Sequence, residues 1–105
     1  MQAAANPAGV DRVLTLVACA YDVPYRELAQ ERSKRTAGPR AVAMYLAHTV
    51  LALSFSKVGD AFSRHPTTAF QAVRRIEARR DEDPQTDRTL AWLEATLRTV
   101  QEIER

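Results

Sequence analysis

Thr67, Thr68, Gln71 and Arg75 follow Pro66 at spacings that gather them on the side of a helix turned away from the apolar Ala69, Ala72, Val73 and Ile76. At about 100° per residue, Thr67, Gln71 and Arg74 lie opposite the apolar face, with Thr68 and Arg75 on one flank and Phe70 on the other. Hydroxyl, amide and guanidinium groups at this pitch can hydrogen-bond base edges and phosphate oxygens. That is recognition chemistry rather than bond-making chemistry. No nucleophile, base and orienting group fall into a catalytic pattern, and no pair of carboxylates suggests a cleft, so an enzyme is not expected.

Such a helix needs a partner to aim it. Just upstream, Ser54 can cap a short helix in which Phe55, Val58, Ala61 and Phe62 share one side, and the chain must turn around Ser63 to His65. Pro66 suits the first position of the next helix, where its missing N–H costs nothing. Two short helices and a tight turn between Ser54 and Glu77 form the layout of a helix-turn-helix DNA reader.

Charge is segregated around this element. Residues 26 to 80 hold eleven Lys/Arg against four Asp/Glu, whereas residues 81 to 105 hold three against seven, and the chain as a whole carries +2. The basic block predicts a polyanionic partner. Its densest part, from Glu31 to Arg40, has no large apolar residue and predicts a basic loop that offers Arg32, Lys34, Arg35 and Arg40 to phosphates or to a minor groove. Arg64, in the turn, adds another phosphate contact.

With 105 residues, 46% hydrophobic and 27% charged, the chain can build one hydrophobic core and is expected to be a single domain with residues 1 to 7 frayed. A lone Cys19 excludes an internal disulfide and a multi-cysteine zinc site. No cofactor or metal ion is expected. Leu16-Val17-Ala18-Cys19 resembles a lipobox, but the apolar Val13 to Val17 is shorter than the roughly 7–15 residues that a signal needs. No apolar run reaches the length of a membrane span, so a cytoplasmic protein without membrane contact is expected.

The remaining elements follow from periodicity. Asn6-Pro7 offers a helix start, and Val10, Val13, Leu14, Val17 and Tyr21 define a first amphipathic helix that ends near Asp22. Tyr25 to Gln30 allows a turn or two of helix anchored by Leu28. Ala41 to Ser56 has no formal charge and predicts a central buried helix in which His48 is a structural residue. After Asp81-Glu82-Asp83-Pro84, the seam Leu90, Leu93, Leu97 and Val100, joined by Trp92 and Ile103, predicts a last helix packed on the domain. A homodimer through Leu90, Leu93 and Leu97 of that helix is the alternative left open.

Several of these segments together resemble the C-terminal DNA-binding domain of the bacterial replication initiator DnaA. They are Arg32-Ser33-Lys34, Gly38-Pro39-Arg40 leading into Ala43-Met44-Tyr45-Leu46-Ala47, Val58-Gly59-Asp60-Ala61-Phe62, Thr67-Thr68, and Ala72-Val73-Arg74-Arg75-Ile76-Glu77. The resemblance implies an all-α, Trp-repressor-like helix-turn-helix bundle of about six helices that binds double-stranded DNA and regulates replication initiation or transcription. It also implies that Arg32 stands where the family has a minor-groove Arg, Thr67 where it has a base-contacting Thr, and Arg75 at a basic position of the recognition helix.

One stretch departs from the family. Where Gly-Gly-Arg-Asp-His-Thr-Thr is typical, this chain has Ser63-Arg64-His65-Pro66-Thr67-Thr68, with one glycine lost, His65 in place of an Asp and Pro66 in place of a His. An Asp can accept from cytosine N4, His65 is more naturally a donor to guanine or phosphate, and Pro66 offers no hydrogen-bonding group. Altered base specificity is therefore expected. A second reading stays open: a protein-interaction module that regulates replication initiation by binding a DnaA-related ATPase. With glycine only at positions 9, 38 and 59, no phosphate-binding loop of the family's own ATPase module is present.

Overall fold

The computed structural model describes residues 9–30 and 34–104. They form α1 (Val10–Tyr21), α2 (Tyr25–Ala29), a 3₁₀ turn (Lys34–Thr36), α3 (Ala37–Thr49), α4 (Phe55–Phe62), α5 (Pro66–Glu82) and α6 (Pro84–Ile103). The described residues contain no strand, and the all-α bundle expected from the sequence is what they build. The expected helix start at Asn6-Pro7 and the frayed residues 1 to 7 lie outside the described residues.

The uncharged run from Ala41 to Ala47 is buried at every position, so α3 has no solvent face along two turns. It packs against α1, α2, α4 and α5, while α6 packs on α5 and α1. Around it close Val10, Val13, Leu14 and Val17 of α1, Leu28 of α2, Val58 and Phe62 of α4, Ala69, Val73 and Ile76 of α5, and Leu90, Leu93 and Leu97 of α6. Each fully buried Leu, Val or Phe contributes about 1.5–3 kcal/mol relative to leaving it exposed.

The boundaries of α3 differ from the expected Ala41 to Ser56 at both ends. It begins four residues earlier, because Gly38-Pro39 is tolerated in a first turn whose N–H groups have no helical partner in any case. It ends seven residues earlier, at Thr49. There the Thr49 hydroxyl donates to the Tyr45 carbonyl (3.0 Å), and His48 Nδ1 donates to the Leu53 carbonyl (2.9 Å), drawing the chain out of the helix. Ala52 takes a left-handed conformation (φ 60°) that releases Ser54 to start α4. His48 also stacks on Phe55, 4.3 Å between centroids, so its role is structural, as expected.

The basic loop expected from Glu31 to Arg40 is shorter than that. Residues 34 to 40 are already in the 3₁₀ turn and in α3. Arg40, expected at a phosphate, is buried with only 6% exposure. Its Nε donates to the Leu28 carbonyl (3.2 Å), and one Nη2 donates to the Glu27 carbonyl (3.0 Å) and the Thr36 hydroxyl (2.8 Å). Both carbonyls lie in the last turn of α2, where a helix leaves carbonyls without an N–H of its own. Arg40 is thus corrected from a DNA contact to an internal clamp that caps α2 from α3.

The last helix also departs from expectation. Leu90, Leu93 and Leu97 are at most 2% exposed and face α6's own domain, so they cannot serve as a dimer seam. Trp92 and Ile103, expected to join that seam, are instead 59% and 76% exposed. Asp83 caps α6 by accepting from Gln85 N–H (3.1 Å) and from the Thr86 hydroxyl (2.7 Å). Arg80 locks the helix in place, with Nε on Asp87 (2.7 Å) and Nη1 on Glu94 (3.0 Å) and the Tyr45 hydroxyl (3.0 Å). Burial works against its charge, but these partners outweigh burial and hold its pKa above the ordinary Arg range.

Three substitutions test this account. Arg40→Met removes its hydrogen bonds to the Leu28 and Glu27 carbonyls and to the Thr36 hydroxyl, and thermal or urea melts should show a loss of about 1–3 kcal/mol. Gly59 has its own constraint: a Cβ there would sit 2.5 Å from the Arg64 carbonyl oxygen, and that neighbour is backbone. Gly59→Ala should therefore destabilise by about 1–3 kcal/mol, whereas Gly38→Ala, which meets nothing within 4 Å, should melt at least as high as the parent.

Candidate nucleic-acid interface

The interface begins with a helix that must stop sharply. In α4, the Ser54 hydroxyl accepts from Lys57 N–H (3.2 Å) at one end, as the sequence suggests. At the other end Ser63 adopts a left-handed conformation (φ 54°, ψ 46°), and Arg64 N–H closes back on the Gly59 carbonyl (2.8 Å). The Arg64 guanidinium then donates to the carbonyls of Phe62 (2.9 Å) and Ser63 (3.3 Å), which the helix leaves unsatisfied. Gly59 lets the returning strand of Arg64 to Pro66 lie directly against α4.

Helix α5 starts from this return. His65 is the N-cap of α5, with Nδ1 accepting from Thr67 N–H (3.1 Å), and Pro66 follows in the first turn. Because Nδ1 accepts, the neutral ring carries its proton on Nε2 and keeps one donor on an exposed side chain. The first turn of α5 contains no acidic residue. Its N–H groups and the positive end of the helix dipole are therefore not neutralised from within the turn.

Along α5, the predicted division of faces is observed. Ala69, Ala72, Val73 and Ile76 are buried, and Thr67, Thr68, Gln71, Arg74 and Arg75 are exposed. Thr68, Gln71 and Arg75 meet Arg64 around a hollow of about 130 Å³, whose other wall is Ala37, Arg40, Ala41 and Met44 of α3. Five of the expected contact residues, Arg40, Arg64, Thr68, Gln71 and Arg75, thus line one concave surface, Arg40 as part of its buried wall. Thr67 and His65 stand outside that hollow, at the N-terminal end of α5.

The remaining expected residues are placed differently. Lys34 is exposed on the 3₁₀ turn. Arg35 is exposed too, with a two-pronged bond from Nε (3.1 Å) and Nη2 (3.0 Å) to the Glu27 carboxylate. Such a surface pair contributes little and can exchange for a phosphate at small cost. Arg32 lies outside the described residues.

Arg74 and Phe70, placed on the outward side of the helix by the sequence, were not among the expected DNA contacts. The Arg74 guanidinium lies 5.7 Å from the Phe70 ring centroid, and Phe70 stands edge-on to Phe55 at 5.3 Å. These contacts hold a 43% exposed aromatic ring and a cation on the outward side of α5. The helical projection that placed Arg74 beside Gln71 already contained the signal. Among the described residues, no group of three or more His, Cys, Asp or Glu is arranged to hold a metal ion, and no helix is long and apolar enough to cross a membrane.

Comparison with known proteins places this arrangement in a family. Residues 10–76 match the model of the bacterial dnaA protein helix-turn-helix. The chain is 36% identical over 91 residues to the chromosomal replication initiator protein DnaA of Laribacter hongkongensis (strain HLHK9), covering 85% of this chain and 19% of that protein. It is 35% identical over 92 residues to the protein of the same name from Dechloromonas aromatica (strain RCB), covering 86% and 20%. The chain thus spans about a fifth of the length of these relatives. A solved structure of a DNA replication initiation factor superposes with a TM-score of 0.77 at 27% identity, covering 87% of this chain and 28% of that one. With the helix-turn-helix geometry and a family match over most of its length, the chain belongs to the bacterial DnaA helix-turn-helix family.

Proposed function

We propose that this domain binds double-stranded DNA with α5 in the major groove, regulating replication initiation or transcription in the bacterial cytoplasm, on the nucleoid. The observation that carries this reading is the outward face of α5. Thr67, Thr68, Gln71, Arg74 and Arg75 are exposed together on a helix whose first turn is free of acid. Gln71 can pair with an adenine edge, the Thr residues can meet a base edge or a thymine methyl group, and Arg75 and Lys34 can meet phosphates. Arg32 takes the minor-groove role that family resemblance assigns it. The domain contributes binding rather than catalysis.

Base specificity is altered relative to the family pattern at His65-Pro66. Pro66 has no hydrogen-bonding group for a base, and the Nδ1 of His65 is already used to cap α5. Only the Nε2–H of His65 is left to contact DNA, and it suits guanine or phosphate rather than cytosine N4. The same turn motivates the competing reading, a protein-interaction module that regulates initiation by binding a DnaA-related ATPase and binds little DNA.

A salt titration on duplex DNA tests the proposal. Contacts to about four to six phosphates should weaken binding by roughly two to three orders of magnitude between 50 and 200 mM salt. Arg75→Ala should reduce the salt slope by about one across all sequences. Thr67→Ala should leave the slope unchanged and lower discrimination by about 1–3 kcal/mol. If both variants match the parent in affinity and slope, the DNA-reading assignment of α5 is wrong.

Selection of bound duplexes from a random pool tests specificity separately. Enrichment of a motif that Thr67→Ala relaxes supports base reading, and His65→Asp should shift the preferred base towards cytosine at one position. No enrichment and no binding at low salt, together with DNA-independent capture of a DnaA-related ATPase, would establish the competing reading instead.

A further inference from the structure

Burial of the Leu seam leaves α6 with a second, outward face that the fold does not use. Projected at about 100° per residue, Arg88, Ala91, Trp92, Ala95, Thr99, Glu102 and Ile103 lie on that one face, opposite Leu90, Leu93 and Leu97. All seven are exposed. Trp92 at 59% and Ile103 at 76% exposure are the two most exposed large apolar residues of the chain's described part. Beside them, between α1 and α6, runs an apolar groove of about 360 Å³ lined by Leu16, Cys19, Thr96, Leu97 and Val100 among others.

The charges on this face have a symmetry that an unrelated surface need not have. Ala95 is seven residues from Arg88 and seven from Glu102, so a two-fold axis through Ala95 brings each Arg88 opposite the Glu102 of an antiparallel copy. Both pairs lie about 10 Å from the axis. The same axis puts Ala91 level with Thr99 of the second copy, where neither side chain holds the helices apart. Neither Arg88 nor Glu102 has an ion-pair partner in its own chain among the described residues. A polyanion is a poor occupant, because residues 81 to 105 carry seven acids against three cations.

We infer that this face of α6 is a homodimer interface, in which two copies pair antiparallel about Ala95 through Trp92, Ile103 and reciprocal Arg88–Glu102 ion pairs. This differs from a dimer through Leu90, Leu93 and Leu97, which are needed by the core. It also stands independently of the DNA reading.

Sedimentation equilibrium of the full chain from low to high micromolar concentration tests the interface. The parent should show a monomer–dimer equilibrium. Arg88→Glu and Glu102→Arg should each weaken dimerisation by about tenfold or more, since each puts like charges opposite one another twice. The double reversal R88E/E102R should restore the parent's dimerisation, because the pairs are again complementary. Trp92→Ala should abolish the dimer. Arg88 lies near the start of α6 and Glu102 near its end, so neither reversal opposes the helix dipole, and circular dichroism should show unchanged helix content. A chain that stays monomeric throughout, a dimer indifferent to the single reversals, or singles that the double reversal does not rescue would each overturn the interface.

Discussion

The absence of a side chain at Gly59 is the constraint on which the rest of the reader depends. An ideal Cβ there would lie 2.5 Å from the Arg64 carbonyl oxygen and 3.2 Å from Pro66 N, so only glycine lets the turn return across α4. That return puts His65 where it caps α5 and Pro66 where its ring starts the helix. The direction of α5, and with it the aim of Thr67, Gln71 and Arg75, is set by two backbones in contact rather than by the recognition residues themselves. Ser63 shares the burden: it holds a left-handed conformation without the freedom of glycine, a local cost of about 1–2 kcal/mol. The Arg64 guanidinium offsets part of that cost by satisfying the Phe62 and Ser63 carbonyls.

Behind the reader, α3 turns a local motif into a rigid one. Its buried run from Ala41 to Ala47 touches both helices of the reader, and its ends are fastened by polar clamps. Arg40 ties the first turn to the end of α2, and His48 ties the last turn to the Leu53 carbonyl, while His48 also stacks on Phe55 at the start of α4. From Tyr45 the chain of contacts runs through Arg80 to Asp87 and Glu94, so α5 and α6 cannot shift separately. A backbone frame held this way has little conformational freedom left to lose on binding a partner.

The helices were legible in the sequence wherever apolar spacing was unambiguous. The end of α1 at Tyr21, Phe55 to Phe62 and the start of α5 at Pro66 follow from periodicity and caps alone, whereas α1 begins at Val10, behind Gly9 at φ 97°, and not at the expected Asn6-Pro7. Misplacement occurred where the local signal competes with tertiary contacts. The uncharged run continuing to Ser56 gives no reason for α3 to stop at Thr49; the stop depends on His48 reaching a carbonyl five residues on and on Ala52 at φ 60°. Gly38-Pro39 reads as a loop, although a first helical turn tolerates both. On α6 the period marks a heptad-like apolar stripe but not which body it packs against, and Leu90, Leu93 and Leu97 turned out to belong to the core.

The basic block shows most clearly what composition can and cannot say about a binding surface. A count of cations treats Arg40, Arg64, Arg75 and Arg80 alike, yet their side chains end in different places. Arg40 ends on carbonyls inside the bundle, Arg64 on the carbonyls of its own turn, and Arg80 between two carboxylates, while Arg75 ends at an open face. The distinction is physical rather than statistical. Guanidinium groups have five donors in a fixed fork and serve a helix end as readily as a phosphate. An Arg one or two turns from a helix C-terminus in a compact chain is therefore a candidate clamp before it is a candidate contact. By that criterion Arg40, beside the end of α2, and Arg64, beside the end of α4, are first of all supports for the surface, whereas Thr67, Thr68, Gln71, Arg74 and Arg75 keep exposed side chains on α5.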